Sequence, residues 1–365
     1  MSLVACTNCG SKYPIDCNPF KCDCGGTYDF IEFPLYRNEK SKDQSLWKFR
    51  NSLGLEPNTP FVSLCEGNTP LLSILFEDKR IWLKMESLNP TGSYKDRGST
   101  VLVSHLKARG VSYAIEDSSG NAGASFAAYC ARGGIRSRVY VPESASGPKR
   151  TQIEVFGAEL VRIAGARSEA AKAVLVEAMG GSVYASHAYM PFGLPGIATI
   201  AYEMVDQLGI EPEVVIAPVG HGALLYGIMR GFETLEISGT IRRQPYYLGI
   251  QSEACAPLSN AFENNLITIQ DCIAGETSAE GVKVVSPSRG KAILTRIKHG
   301  KGQIVSIGEK ELISASKDLA GMGVYCEPTS ALVWAGVRKV NLSKYSTTVA
   351  VITGSGYKSL NFKKE

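Results

Sequence analysis

Nowhere in the 365 residues is there an uninterrupted apolar run of the roughly 18 residues that a membrane-spanning helix needs. The N-terminus, MSLVACTNCG, also lacks a basic segment followed by a long apolar one. Neither membrane insertion nor export is indicated, and the cytoplasm is the expected compartment. Clustered positive charge is missing too: the formal net charge is only +4, and no Lys/Arg run exceeds that in the tail FKKE. Nucleic acid is therefore not an expected partner, and a small-molecule function is favoured. There is no internal repeat and no low-complexity segment. With 44% hydrophobic and 20% charged residues, the chain has the composition of an ordinary soluble globular protein, long enough for two domains or for one with an appendage.

Ten cysteines are present, and five of them, Cys6, Cys9, Cys17, Cys22 and Cys24, fall in the first 24 residues. That is a local feature rather than a disulfide framework. The turns CTNCG and CDCGG resemble the two knuckles of a small zinc ribbon, in which thiolates on tight Gly-supported turns close a tetrahedral site and stabilise a segment too short for its own core. Cys6, Cys9, Cys22 and Cys24 are the expected ligands of a structural zinc. The second turn departs from the usual two-residue gap, Cys17 is a spare, and reduced thiols without metal are the alternative. Cys130 and Cys326 sit in apolar stretches and read as small buried hydrophobes.

From about residue 112 onward, short β-rich runs alternate with helical ones. SYAIED leads to NAGASFAAYCARGG, SRVYVP to GPKRTQIEVFGAE, ELVRI to SEAAKAVLVEAMGG, and SVYAS to GIATIAYEMVDQLG. EVVIAP then precedes GALLYGIMRGF, GQIVSIG precedes EKELISASKDLAGMG, VYCEP precedes TSALVWAGVRKV, and TTVAVITG closes the series. Such alternation predicts an α/β protein with two open parallel sheets. Residues 35 to 60, polar and Pro-containing, read as a connector from the Cys-rich head to the main body.

Ligands of open α/β folds sit beyond the carboxyl ends of strands, so the turns that follow strands carry the functional information. After SYAIED comes SSGNAGAS, a small-residue loop opening a helix, where backbone N–H groups can approach an anion and Asn121 offers an amide. A capped βα turn is the plainer reading. After EVVIAP comes VGHGALLYG, where Gly220 and Gly222 flank His221 before a helix beginning near Ala223. Free N–H groups at a helix N-terminus make a phosphate cradle, with His221 as a spacer. The last strand ends at Thr353 and Ser355, where a neutral hydroxyl can meet a ring nitrogen without protonating it. Lys95, in NPTGSYKDRG, lies between structure breakers and reads either as a surface charge or as a chemical lysine.

In this order along the chain, EGNTPLL, NPTGSYKDRG, SSGNAGAS, PVGHGALLYG, EPTSA and TGSGYK resemble motifs of the tryptophan-synthase-β, or fold type II, class of pyridoxal-phosphate enzymes, and of its threonine synthase branch in particular. The resemblance spans roughly residues 60 to 358. An N-terminal zinc-ribbon-like segment also occurs in some members. It implies pyridoxal 5′-phosphate as cofactor, with Lys95 as the Schiff-base lysine and acid/base. Asn121 would meet the cofactor's 3′-oxygen, Gly220, His221, Gly222, Ala223 and Leu224 would hold its phosphate, and Thr353 would face the pyridine nitrogen. Ser93, Ser119, Gly120, Asn121 and Lys149 would contact an amino-acid substrate. The implied layout is a zinc-ribbon-like head over residues 1–35, a large cofactor-binding domain over 36–98 and 190–365, and a small inserted domain over 99–189, in a homodimer. The implied reaction converts O-phospho-L-homoserine and water to L-threonine and phosphate.

One segment departs from that pattern. Where threonine synthases commonly carry Asn-Pro-aromatic-Arg-Leu-Glu-Gly, this chain has MPFGLPG, with Met190, Gly193 and Pro195 in place of the asparagine, arginine and glutamate. A fork of donors suited to a dianionic leaving group is absent there. Arg97, Lys149 and Arg150 are the cations that would compensate. A β-elimination or β-replacement enzyme acting on another amino acid, of the serine/threonine dehydratase or cysteine synthase kind, fits the same core motifs. A catalytically inactive regulatory protein, or a metal-dependent binding module built on the head, is the reading from outside the enzyme class.

Overall fold

A computed structural model describes residues 3–38, 41–145, 147–270 and 272–359 of the chain; the tail FKKE lies outside them. The strands are β1 (Val4–Cys6), β2 (Tyr28–Phe30), β3 (Leu71–Phe76), β4 (Lys79–Lys84), β5 (Tyr113–Glu116), β6 (Arg136–Pro142), β7 (Glu159–Ile163), β8 (Val183–Tyr184), β9 (Val214–Pro218), β10 (Tyr246–Ser252), β11 (Gly302–Ile307) and β12 (Thr348–Val351). The helices are α1 (Lys95–Ala108), α2 (Asn121–Gly133), α3 (Pro148–Val155), α4 (Arg167–Met179), α5 (Leu194–Leu208), α6 (Ala223–Ile237), α7 (Pro257–Glu263), α8 (Gly290–Arg296), α9 (Glu309–Gly321) and α10 (Pro328–Lys339). No helix among the described residues is long and apolar enough to cross a membrane.

The chain divides into two compact units, the first made of residues 1–67, 89–196 and 358–365, the second of 68–88 and 197–357. In the first unit a parallel sheet runs β7-β6-β5-β8, and β1 and β2 form a separate antiparallel ribbon. In the second, the order is β11-β10-β9-β12-β4-β3, parallel except for the antiparallel edge strand β3. The α/β class with parallel sheets is thus the one the alternation of strands and helices predicts. The central strands read as continuous apolar runs because they are covered on both faces: all five residues of β9 and all four of β12 are buried.

Two segments differ from the sequence expectation. VYCEP forms no strand; Cys326 makes only an isolated bridge to Ser355, because Glu327 already caps the helix that follows. The stretch read as a connector holds a 3₁₀ helix, Leu46–Ser52, whose Leu46 and Trp47 are buried with Leu53 and Val101. The indole of Trp47 donates to Glu66 Oε1 at 2.9 Å and to Thr100 Oγ1 at 3.1 Å, so this segment fastens onto α1. Helix α1 and residues 36–67, 89–94 and 190–196 belong to the unit that holds the four-stranded sheet.

Candidate functional site

In the first unit, NPTGSYKDRG folds as a turn that runs directly into α1, with Lys95 its first residue. Asp96 organises the turn: its buried carboxylate accepts from the Thr91 backbone at 2.7 Å and from the Thr91 hydroxyl at 2.6 Å. The Lys358 ammonium donates to the Thr91 carbonyl at 2.7 Å. Burial raises the Asp96 carboxyl to about 6, against the pull of the Ser125 and Thr91 hydrogen bonds. Ser125 Oγ donates to Asp96 Oδ1 at 2.6 Å and lies 2.8 Å from Ser99 Oγ, from which it can accept, so the N-terminal parts of α1 and α2 are bonded to each other. Lys95 adjoins one end of that link, and Asn121 lies one turn before the other.

The SSGNAGAS loop closes tightly. Gly120 is the N-cap of α2, its N–H donates to Ser118 Oγ at 3.2 Å, and a Cβ on Gly123 would fall 1.8 Å from the Ser118 carbonyl oxygen. Ser119, Gly120 and Asn121 are partly accessible there, as an anion site requires. Ser93 lies in the turn before Lys95, and its buried hydroxyl has no hydrogen-bond partner among the described residues. Lys149 stands in the first turn of α3, half-buried. Arg150 is occupied locally, donating to the Ala145 carbonyl at 2.9 Å, and Arg97 is fully buried.

In the second unit, β9 ends at Pro218 and α6 begins at Ala223, with Gly220, His221 and Gly222 in the loop. Gly222 adopts φ +95°, and a Cβ on Gly220 would come within 2.6 Å of the Gly281 carbonyl oxygen. Bare backbone therefore lines this turn at the positive end of a 15-residue helix, a fit for a phosphate group. The His221 carbonyl accepts from the Arg289 N–H at 3.0 Å, and Arg289 is buried against the loop. Thr353, at the carboxyl end of β12, is buried with its hydroxyl 2.8 Å from Ser330 Oγ and within 3.4 Å of Glu327 Oε1. The Ser330 hydroxyl in turn accepts from the Gly354 N–H at 2.9 Å, so EPTSA and TGSGYK form one constellation around Thr353. A neutral hydroxyl fixed in this way suits a pyridine nitrogen that stays largely unprotonated. Sequence reasoning assigned no role to Ser330, Glu327 or Arg289; the EPTSA motif of the resemblance contains the first two, and nothing in the sequence pointed to Arg289.

EGNTPLL serves the scaffold. Glu66 accepts from the Tyr129 hydroxyl at 2.7 Å as well as from Trp47. Downstream, the Asn68 N–H donates to Glu203 at 2.7 Å and buried Lys84 pairs with Glu203 at 2.7 Å. Such a pair is kept by its full set of hydrogen bonds.

The head brings Cys6, Cys9, Cys22 and Cys24 together, with all four sulfurs within 4.8 Å of one another. Cys6 and Cys24 sulfurs are 3.5 Å apart and those of Cys9 and Cys22 3.6 Å, close to the roughly 3.8 Å edge of a tetrahedral zinc–thiolate site. Hydrogen bonds to Ser11 pull the Cys9 thiol down to about 6, toward the thiolate a metal requires. The donor set fits zinc. Cys17 stays outside the cluster, exposed, its carbonyl accepting from Arg109 at 2.7 Å.

The divergent segment MPFGLPG packs rather than presenting a charge. Phe192 stacks on His105 of α1 with centroids 3.7 Å apart and meets Tyr13 and Phe30 of the head edge-on. A Cβ on Gly193 would lie 3.1 Å from the Gly98 carbonyl oxygen, so a longer side chain there would press on α1.

Comparison with known proteins agrees with this chemistry. Residues 62–354 match the profile of the family described as pyridoxal-phosphate dependent enzyme. The chain is 33% identical to a threonine synthase of Methanocaldococcus jannaschii, over 98% of its own length and 93% of that protein. It is 31% identical to the threonine synthase of Methanosarcina acetivorans, over 97% and 91% of the two chains. Among solved structures, a T.th. threonine deaminase matches with a TM-score of 0.67 and 26% identity, covering 82% of this chain and 94% of that one. Maize serine racemase matches in fold, with a TM-score of 0.70, 18% identity, and coverage of 80% and 89%.

Proposed function

The chain belongs to the pyridoxal-phosphate dependent enzyme family, and from that premise we propose that it is a threonine synthase-like lyase. It would convert O-phospho-L-homoserine and water to L-threonine and phosphate, as a homodimer. The observation that carries this reading is likeness over nearly the full length, head included, to a threonine synthase at 33% identity.

When bound, pyridoxal 5′-phosphate supplies an electron sink for the carbanion formed at the substrate's Cα. The chain's own residues do the rest. The amine of Lys95 would hold the cofactor through its aldehyde and would be the acid/base that takes and returns protons at the substrate carbons. Asn121 would orient the ring through its 3′-oxygen. The Gly220–Leu224 backbone would hold the phosphate, and Thr353, fixed by Ser330, would offer the ring nitrogen an uncharged partner. Elimination and replacement are favoured over transamination by that choice. The loop N–H groups at Ser119 and Gly120 would hold the substrate carboxylate, with Ser93 and Lys149 also at the substrate. The four head cysteines would hold a structural zinc.

A second reading, elimination or replacement at Cβ of a different amino acid, is favoured by the tight packing of Gly193 where the leaving-group arginine is expected. One experiment separates the two. The cofactor-loaded protein, given O-phospho-L-homoserine, is expected to release phosphate and threonine in equal amounts. No release, with serine, threonine or O-acetylserine still perturbing the cofactor spectrum, would assign the second reading. A colourless protein that cannot be reconstituted, or a Lys95→Ala protein that turns over normally, would overturn both.

A further inference from the structure

Two adjacent strand ends in the first unit hold an acid and a base that the proposed reaction has not used. Strands β5 and β8 pair in parallel, with Ile115 opposite Tyr184. Their carboxyl ends therefore deliver Glu116 and His187 to one spot, although 71 residues separate them in the chain. Glu116 Oε1 lies 2.5 Å from His187 Nδ1. The carboxyl is buried, and its other oxygen, Oε2, has no hydrogen-bond partner among the described residues. His187 keeps about a fifth of its side-chain surface accessible. The Lys95 charge acts on both groups: it favours the ionised form of Glu116 and disfavours a second cation on His187.

We propose that Glu116 and His187 form a proton relay for Lys95, taking up the proton that the amine must lose to react and returning it afterwards. This rests on the reading of Lys95 as the reactive lysine. The proton from the Lys95 ammonium forms a bond to His187 Nε2, the Nδ1–H bond breaks, and that proton binds Glu116 Oε1. The ammonium–carboxylate pair becomes a neutral amine and a neutral acid. Nothing is oxidised or reduced, and no net charge is left in the buried site.

The surroundings are suited to such a device. Burial raises Glu116 to about 8, against the opposing pull of Lys95, so the carboxyl can hold a proton near neutrality. Burial, with Lys95, keeps His187 well below its ordinary value, so the imidazole passes a proton on instead of storing it. The other groups facing the pair are Asp117, next along the chain, Tyr184 of β8, whose hydroxyl donates to Asp117 at 2.7 Å, Arg167 of α4, and the buried thiol of Cys130 on α2. Glu116 and His187 act through Lys95 and are positioning residues in that sense.

The test reads the imidazole directly. The four histidines of the cofactor-loaded protein are labelled with ¹⁵N, and His187 is identified by its loss in His187→Gln. With Glu116 protonated, Nδ1 accepts and Nε2 carries the hydrogen; with Glu116 ionised, the two nitrogens exchange roles. The exchange is expected as pH rises through about 8, to vanish in Glu116→Gln, and to move to higher pH in Lys95→Met, where the neighbouring cation is gone. The pH profile of turnover is expected to lose its limb in the same range in Glu116→Gln. Fixed nitrogen roles from about pH 6 to about pH 10 in the unmutated protein, or an exchange that persists in Glu116→Gln, would overturn the relay. Borohydride fixation and peptide mapping in the same samples test the separate question of whether the cofactor sits on Lys95.

Discussion

At the residue scale the chemistry of the Lys95 turn rests on its neighbour. Asp96 is buried and satisfied by hydroxyl and backbone donors, and its carboxyl is raised by burial from 3.8 to about 6. A carboxyl whose folded value lies above its unfolded one contributes stability at low pH that is lost as pH rises through the folded value. The unmutated protein is therefore expected to lose this contribution between about pH 4 and about pH 6, and Asp96→Asn to lack that fall while being less stable at every pH. Denaturant midpoints measured for both proteins at several pH values check it; parallel curves would refute it. The sequence marked its candidate residues at this scale because Lys95, Asn121 and the Gly220–Gly222 loop sit in or beside short runs of Gly, Ser and Asn that helix and strand interiors avoid. The Glu116–His187 pair was not legible, since strand adjacency and not spacing creates it. Ser330 was likewise hidden, its role set only by where Thr353 comes to lie.

At the scale of elements, alternation of apolar runs with helical stretches read out the βαβ units well, and the failures have local causes. Strand β10, YYLGIQS, carries a glutamine in its core; Gln251 is buried because it donates to the Val219 carbonyl and accepts from the N–H groups of Leu258 and Ser259. The β3–β4 hairpin turns at Glu77, with φ +51° and no glycine to mark it. Loop and helix at SSGNAGAS form one unit whose tightness is measurable. An alanine within a helix is ordinarily worth about 1 kcal/mol over glycine. At Gly123 the new methyl would fall 1.8 Å from the Ser118 carbonyl oxygen, a backbone atom that cannot swing aside, so overpacking wins. Gly123→Ala is expected to lower stability by roughly 1–3 kcal/mol and to weaken cofactor retention by distorting the loop beside Asn121. Denaturant unfolding and cofactor titration check the two effects, and a stabilised variant would show that the loop yields.

At the scale of the whole molecule, the head is joined to the rest of the first unit through aromatic packing and α1. Tyr13 and Phe30 close on Phe192, Phe192 stacks on His105, and Arg109, just beyond α1, donates to the Pro14 and Cys17 carbonyls at 3.2 and 2.7 Å. Burial holds His105 down to about 3, so that stack is made with a neutral imidazole. The sequence announced the head by its cysteines but gave no sign that it braces α1, because Phe192 lies more than 150 residues beyond the head. Since the head is too short to bury a core of its own, metal binding and folding of this segment should be one event. About one zinc per chain is expected by elemental analysis, and Cys9→Ser is expected to lose most of it. Stripping the metal with a chelator should free the ribbon, uncover Phe192 and loosen α1. The expected result is a melting temperature lower by several degrees, together with faster loss of cofactor from the helix that begins at Lys95. If the metal-free protein melts at the same temperature and keeps its cofactor equally long, the aromatic contacts alone hold the head, and the cysteines serve some purpose other than bracing the helix.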